Sequence, residues 1–183
     1  MSAYFNPATI SLIKGCYLVI DTNVLTSCSS SKEYFDTFYE IFKENIFLID
    51  PIVKLEFLRS TNKTIFEAKN SFLEFNKFIT MLDHYDIYKK VYANAFTIAK
   101  IYTNYGNPSI PLGDLLIVSR LMIYGDNYIF ATLDKSDFST VLFDRVGIVS
   151  IERKTKNRID VVDHISLLRF NHNKYHVCLK KLS

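Results

Sequence analysis

The chain has 183 residues, about the length of one domain, and 49% of them are hydrophobic against 22% charged. These proportions are ordinary for a globular protein and exclude a disordered chain, while 5 glycines and 4 prolines exclude collagen-like and low-complexity classes. The formal charge of +3 is too small to indicate a partner, but it is unevenly distributed. Residues 151–183 hold 8 basic and 3 acidic residues, and the rest of the chain holds 14 basic and 16 acidic ones, so a basic end follows a nearly neutral body.

Cysteine usage and hydropathy indicate the compartment. Cys16, Cys28 and Cys178 are odd in number and widely spaced, and none lies in a CxxC or Cys/His metal motif, so we expect reduced thiols. No apolar run reaches the ~18 residues of a membrane span, and polar residues interrupt the N-terminal segment where a signal peptide would lie. We therefore expect a cytoplasmic protein.

Short apolar runs alternate with longer helical patterns along the chain. The apolar runs predict strands at residues 16–20, 46–49, 128–132 and 147–151. Apolar residues spaced three and four apart predict helices at residues 32–44, 51–59, 65–82, 88–102 and 112–124. This alternation favours an α/β fold with a mainly parallel sheet. The pattern weakens after residue 151, so we divide the chain into a domain of residues 1–151 and a basic C-terminal extension of residues 152–183 that packs on the same domain.

Two acidic residues follow predicted strands. Asp21 comes directly after the first strand, and Asp134 follows the strand at 128–132 after one intervening residue. Ligands of open α/β sheets bind beyond the carboxyl ends of the strands, so both side chains would lie at the edge where ligands bind. The alternative for either residue is an Asx-turn or the N-cap of a helix.

Two further acidic residues, Glu56 and Asp114, lie on apolar sides of predicted helices. A lone buried carboxylate costs several kcal/mol unless it is neutralised, paired or bound to a metal. The alternatives are an ion pair of Glu56 with Arg59 or Lys54, and an N-cap role for Asp114.

Four carboxylates that converge on one sheet edge repel one another, which raises some of their pKa values. A hard divalent cation relieves that repulsion. Mg²⁺ or Mn²⁺ favours carboxylate oxygens and keeps several waters, which suits a site without His or Cys. Such an ion activates water and shields the charge that develops on a phosphodiester, so the four acids indicate metal-dependent hydrolysis.

Four segments of the chain resemble the motifs of PIN-domain nucleases. In chain order they are Val19-Ile-Asp21-Thr-Asn23-Val-Leu25, Val53-Lys-Leu-Glu56-Phe57, Leu112-Gly-Asp114-Leu-Leu-Ile117 and Ala131-Thr132-Leu-Asp134-Lys-Ser-Asp137-Phe138. The resemblance spans roughly residues 17–151. It implies a three-layer α/β/α sandwich with a mainly parallel central sheet, and Mg²⁺- or Mn²⁺-dependent cleavage of RNA to 5′-phosphate and 3′-hydroxyl products, as in the toxins of VapBC-type toxin–antitoxin pairs.

The resemblance also implies a role for each matching residue. The catalytic and metal-binding residues would be four acids: Asp21, Glu56, Asp114 and Asp134. Asp21 and Asp114 would be the principal metal ligands. Glu56 and Asp134 would complete the acidic cluster or position the attacking water. Asn23 and Thr132 would orient the ligands by hydrogen bonds, and Asp137 is the alternative to Asp134 as the fourth carboxylate.

Basic residues and helices suggest partners. Arg120, Arg153 and Lys154 are candidate contacts to RNA phosphates, with solvated surface charge as the alternative. The resemblance to toxins implies an antitoxin that covers the site and a homodimer formed through helices. The helices at 65–82 and 88–102 would pack on the core or on each other, with a subunit interface as the alternative. Two other functions stay open: a non-catalytic PIN-like module that binds RNA or protein, and the same site acting on DNA or flap structures.

Overall fold

The computed structural model describes residues 1–60, 62–76, 78–82, 84–106, 110–134, 136–154 and 160–182. Within these ranges the chain forms seven strands: β1 (Ala3–Phe5), β2 (Tyr17–Ile20), β3 (Ile46–Ile49), β4 (Ile79–Thr80), β5 (Tyr128–Thr132), β6 (Phe143–Lys154) and β7 (Asp160–Phe170). It also forms eight helices: α1 (Pro7–Ile13), α2 (Thr22–Ser30), α3 (Lys32–Phe42), α4 (Pro51–Leu58), α5 (Lys63–Phe75), α6 (Tyr85–Asn104), α7 (Leu112–Tyr124) and α8 (His172–Lys180). The α/β class is as predicted.

All seven strands belong to one sheet, in the order β1-β6-β7-β5-β2-β3-β4. β2 is central to the parallel half: it pairs in parallel with β3 and with β5, and β3 pairs in parallel with β4. The other half is antiparallel, since β7 runs against both β5 and β6, and β1 runs against β6. The prediction of a mainly parallel sheet was therefore wrong, and the sheet is mixed.

About half of the antiparallel strand residues come from the segment that we predicted to be an extension. The predicted boundary at residues 151 and 152 falls inside β6, where Ile151 pairs with Asp163 of β7. β7 itself lies between β6 and β5, with Phe130 opposite Leu168. The part of the C-terminal segment that forms β7 is thus an interior strand of the sheet, and its removal would split the sheet in two.

Both faces of the central strands are covered. Leu18, Val19 and Ile20 of β2 are all buried, although successive side chains of a strand point to opposite faces. The residues from Ile129 to Thr132 of β5 are buried in the same way. Strands that are apolar and buried on both faces are typical of a sheet packed between helices, and the fold is consistent with an α/β sandwich.

Some helix boundaries differ from the sequence pattern. The predicted helix at 65–82 ends as α5 at Phe75, because the side-chain amide of Asn76 donates to the carbonyl of Phe72 and the chain then turns into β4. Elements α1, α2, α8 and β1 had no clear periodic signal. Among the described residues, none of the helices combines the length and apolar character needed to cross a bilayer.

One hairpin projects beyond the edge at which the parallel strands end. Thr132, the last residue of β5, lies opposite Ser166 of β7. The residues of β7 that precede Ser166, back to Asp160, therefore continue past this edge by roughly 20 Å at about 3.3 Å per residue. We call residues 149–154 and 160–165 the hairpin arm. It flanks the edge where Asp21 and Asp134 follow their strands.

Candidate active site at the carboxyl edge of the parallel strands

Asp21 follows β2 directly and begins α2. Its backbone N–H donates to the carbonyl of Ala131 in β5, which fixes the backbone at the sheet edge. Its Oδ1 accepts a hydrogen bond from the N–H of Thr22 at 2.7 Å, so Asp21 is the N-cap of α2, which is the alternative role that the sequence left open. The second carboxylate oxygen, Oδ2, points to β5 and accepts from the hydroxyl of Thr132 at 2.5 Å.

The hydroxyl of Thr132 joins three of the motif residues. Its Oγ1 accepts hydrogen bonds from Nδ2 of Asn23 at 3.3 Å and from the N–H of Asp134 at 2.9 Å. Because Asn23 and Asp134 are both donors in these bonds, the single proton of the hydroxyl is directed to the carboxylate of Asp21. Asn23 is fixed in turn, since its Oδ1 accepts from the N–H of Leu133 at 3.0 Å. Thr132 thus contacts Asp21 directly, and Asn23 contacts Thr132.

Glu56 extends from α4 toward the N-termini of two other helices. Its Oε2 accepts a hydrogen bond from the hydroxyl of Thr22, the first residue of α2, at 2.8 Å. Its Oε1 lies so close to Gly113, in the first turn of α7, that a Cβ on that glycine would be only 2.7 Å away. An ion pair of Glu56 with Arg59 or Lys54 is not found among the described residues.

Asp114 lies in the first turn of α7, but it is not the N-cap, which is Pro111. Its side chain is half-buried, and burial is the largest cause that raises its pKa, to about 7. Repulsion raises the pKa further, in decreasing order of effect, from four carboxylates: Asp21, Asp137, Glu56 and Asp134. The fold therefore brings the carboxylates from α2, α4, α7 and the loop after β5 within electrostatic reach of one another.

Asp21 has a raised pKa as well, about 6. Burial is the main cause, since only 5% of the residue is exposed. The hydrogen bonds from Thr132 and Thr22 favour the ionised form and limit the rise, whereas repulsion from Glu56 and Asp134 adds to it. No ion pair of the described residues involves Asp21 or Asp114. When it is ionised, each of these carboxylates therefore lacks a compensating cation among the described residues.

The loop after β5 distinguishes the two candidates for the fourth carboxylate. Burial raises the pKa of Asp134, but hydrogen bonds from the hydroxyl and N–H of Ser136 and from the N–H of Asp137 outweigh it, and the net pKa is lowered. Oδ1 of Asp134 therefore points toward the loop that follows it, where Ser136 and Asp137 donate to it. Asp137 has a raised pKa, first from burial and then from repulsion by Asp134, and it affects Asp114 more strongly than Asp134 does.

The predicted RNA contacts have other partners. Arg120 is 1% exposed, and its Nε forms an ion pair with Oδ2 of Asp50 at 2.7 Å, so a phosphate contact at Arg120 is wrong. Nε of Arg153, in the hairpin arm, pairs with Oδ2 of the buried Asp163 at 2.8 Å, and a third of the Arg153 side chain is exposed. Lys154 ends β6, but its side chain lies outside the described residues.

The sequence interpretation missed two residues of the site. Thr22 donates a hydrogen bond to the carboxylate of Glu56, and Gly113 lies against that carboxylate. A signal existed for both, because Thr22 and Gly113 are chain neighbours of predicted ligands. The interpretation also missed the structural acid Asp50, which follows β3 as Asp21 follows β2.

The acidic residues match a hard divalent cation in chemistry. In the described part of the chain, no group of three or more His, Cys, Asp or Glu side chains is arranged to hold a metal ion. Mg²⁺ is commonly bound by one or two carboxylates together with waters and substrate phosphate oxygens, so a protein cage is not required. Asp21 and Asp114, with oxygen donors only and raised pKa values, fit that type of binding.

Comparison with known proteins finds no match: no family model, no curated protein and no solved structure is similar to this chain. The functional interpretation therefore depends on the geometry of the site and on the motif residues.

Proposed function

We propose that this protein is a Mg²⁺- or Mn²⁺-dependent endoribonuclease that hydrolyses RNA phosphodiesters at the edge formed by Asp21 and Asp114. One observation carries the proposal. Two carboxylates from distant parts of the sequence lie near each other with raised pKa values, about 6 and about 7, and neither is in an ion pair of the described residues. Such an arrangement is costly unless a cation is bound, and it is typical of functional rather than structural sites.

In this proposal Asp21 and Asp114 hold the cation through carboxylate oxygens. The bound ion would supply an activated water and would neutralise the charge that develops on the phosphodiester. Thr132 keeps Oδ2 of Asp21 oriented by donating its hydroxyl proton. Thr22 fixes the carboxylate of Glu56 beside both ligands, where it can position the attacking water.

We favour Asp137 over Asp134 as the fourth carboxylate of the reaction site. Oδ1 of Asp134 accepts three hydrogen bonds from its own loop, from Ser136 and Asp137, and serves the loop conformation. Asp137 exerts the stronger repulsion on Asp114, and the side chains of these two residues are within hydrogen-bond reach of each other.

The hairpin arm is our candidate for binding the RNA backbone. It projects past the sheet edge beside the carboxylates, and it includes Arg153, whose guanidinium is partly exposed. The sequence places Lys154 next to it. Phosphate contacts of this kind supply affinity and salt dependence rather than sequence preference.

An RNA-cleavage assay tests the proposal. Wild-type protein should cleave single-stranded RNA in Mg²⁺ or Mn²⁺ and should lose activity in EDTA. Asp21→Asn should abolish cleavage and keep the fold, because asparagine caps a helix as well as aspartate does. Undiminished cleavage by Asp21→Asn would refute the assignment.

The same assay separates the other functions. Wild-type protein that neither binds Mn²⁺ nor cleaves any nucleic acid would favour a non-catalytic module that binds RNA or protein, and cleavage of DNA or flap substrates alone would change the substrate. A homodimer and an antitoxin partner stay predictions from the motif resemblance.

A further inference from the structure

Gly113, near the start of α7, lies against the side chain of Glu56 from α4. A Cβ built on Gly113 would lie 2.7 Å from Oε1 of Glu56, a separation that side chains do not tolerate. Its next nearest neighbours, Cδ of Glu56 and Cγ2 of Ile52, would both be 3.8 Å away, which is an ordinary contact. The missing side chain thus makes room for one carboxylate oxygen and for little else.

Glycine is otherwise a poor choice at this position. Gly113 is the second residue of α7, and glycine is among the weakest helix formers. Its φ is outside the left-handed range found at Gly15, Gly106 and Gly125, so the backbone itself does not require glycine. The helix therefore carries a residue that weakens it, and among the described residues the one tight neighbour that explains the residue is Glu56.

The two residues that surround the carboxylate of Glu56 adjoin the two proposed ligands. Thr22, which donates to Oε2, directly follows Asp21, and Gly113, which lies against Oε1, directly precedes Asp114. Both are in the first turns of helices, where exposed N–H groups favour a negative charge. The carboxylate of Glu56 thus links the start of α2 to the start of α7.

We propose that Gly113 is a positioning residue: its lack of a side chain admits the Glu56 carboxylate between α2 and α7 and sets the placement of that carboxylate beside Asp21 and Asp114. The metal-binding consequence rests on the proposed function. The purely structural alternative is that Gly113 only permits α7 to pack on α4, in which case a methyl group would destabilise the fold and leave the carboxylate in place.

The variant Gly113→Ala distinguishes these explanations. The methyl group would meet the far end of a flexible side chain, so we expect the carboxylate to move and the fold to remain. The melting temperature should change little, since the better helix propensity of alanine offsets the loss of the hydrogen bond from Thr22 to the displaced carboxylate. The affinity for Mn²⁺, measured by calorimetry, should fall by about tenfold or more, as for other residues that orient ligands. Leu112→Ala is the control, because Leu112 is in the same helical turn and is 68% exposed.

A thermal unfolding cycle without metal tests the geometry by itself. Glu56→Asp shortens the side chain by one methylene, so in that background the methyl of Gly113→Ala should fit and should raise the melting temperature more than it does in the wild type. Independent effects of the two substitutions on the melting temperature would overturn the inference.

The calorimetric result separates the inference from the proposed function. Wild-type affinity retained in Gly113→Ala would overturn the inference alone. A wild-type protein that does not bind Mn²⁺ would overturn the proposed function and, with it, the metal-positioning role.

Discussion

Asp21 and Asp50 occupy equivalent places in the fold and differ in how their charge is compensated. Each follows a buried parallel strand, β2 or β3, and each caps the next helix, through the N–H of Thr22 or of Ile52. Asp50 is neutralised by the buried guanidinium of Arg120. Asp21 has no such ion pair in the part of the chain described, and burial raises its pKa to about 6.

The comparison shows why position after a strand does not identify a functional acid. Asp50 and Arg120 join α4 to α7, so their pair fixes the helices that carry Glu56 and Asp114. Asp163 is a second example of the compensated kind, since it accepts from Arg153 and from Ser27. A buried acid with its own arginine is structural, whereas one left without a cation is a candidate for binding one.

Matched substitutions should separate the two acids most strongly. Asp50→Asn keeps a capping residue but leaves Arg120 buried without its carboxylate, and we expect a loss of about 3–5 kcal/mol in the free energy of unfolding. Asp21→Asn removes a poorly compensated charge, so the metal-free protein should keep its stability or gain some. Denaturant unfolding of both variants measures the difference, and equal losses would show that the two acids are equivalent.

The second prediction concerns the hydroxyl that orients Asp21. Thr132→Val removes a donor to the ionised carboxylate, and we expect the affinity for Mn²⁺ to fall by about 10- to 100-fold. The same hydrogen bond holds the pKa of Asp21 down, so its loss should raise that pKa further above 6 and shift metal binding to higher pH. Thr132→Ser keeps the hydroxyl and should resemble the wild type; a Ser variant as weak as the Val variant would argue against this role.

The third prediction compares the two acids of the loop. Asp137→Asn removes the stronger repulsion on Asp114 and should lower its pKa from about 7. Because a cation binds the ionised carboxylate, the pH at which Mn²⁺ affinity is half-maximal should move down. Asp134→Asn should move it less. Mn²⁺ titrations between pH 5 and pH 9, about two units on either side of this pKa, measure both shifts. A larger shift in Asp134→Asn than in Asp137→Asn would favour Asp134 as the fourth carboxylate.

The smallest expected effect is on the stability of the metal-free protein. The pKa of Asp114 is raised by folding, so the folded state binds more protons than the unfolded state between about pH 4 and pH 7, and stability falls as the pH rises through that window. Asp114→Asn removes this penalty. Allowing for partial solvent exposure, we expect a gain on the order of 1 kcal/mol at pH 8 that fades toward pH 4. A gain that is independent of pH would exclude the carboxylate charge as its cause.

The sequence was informative where a feature is local and less so where it depends on distant residues. Apolar runs located β2, β3 and β5, and the acids after them followed from the geometry of parallel strands. β7 was missed because Asp163, His164 and Arg169 interrupt its apolar pattern, and only the structure reveals that Arg153 neutralises Asp163. Two of the three antiparallel pairings of the sheet involve that strand, and the third joins β1 to β6.

Side-chain pairing across the fold was similarly out of reach. The burial of Arg120 depends on Asp50, which lies far away in the sequence, so the sequence alone does not distinguish this buried arginine from a surface one. The position of the Glu56 carboxylate depends on Thr22 and Gly113, which belong to two other helices.

The most direct measurement is a crystal structure of the wild-type protein grown with Mn²⁺, with anomalous diffraction used to locate the ion. The account predicts a peak at the carboxyl edge of the parallel strands, ligated by carboxylate oxygens of both Asp21 and Asp114. A saturating concentration of Mn²⁺ that leaves this edge without a peak, or an ion bound elsewhere while both carboxylates stay unligated, would contradict it.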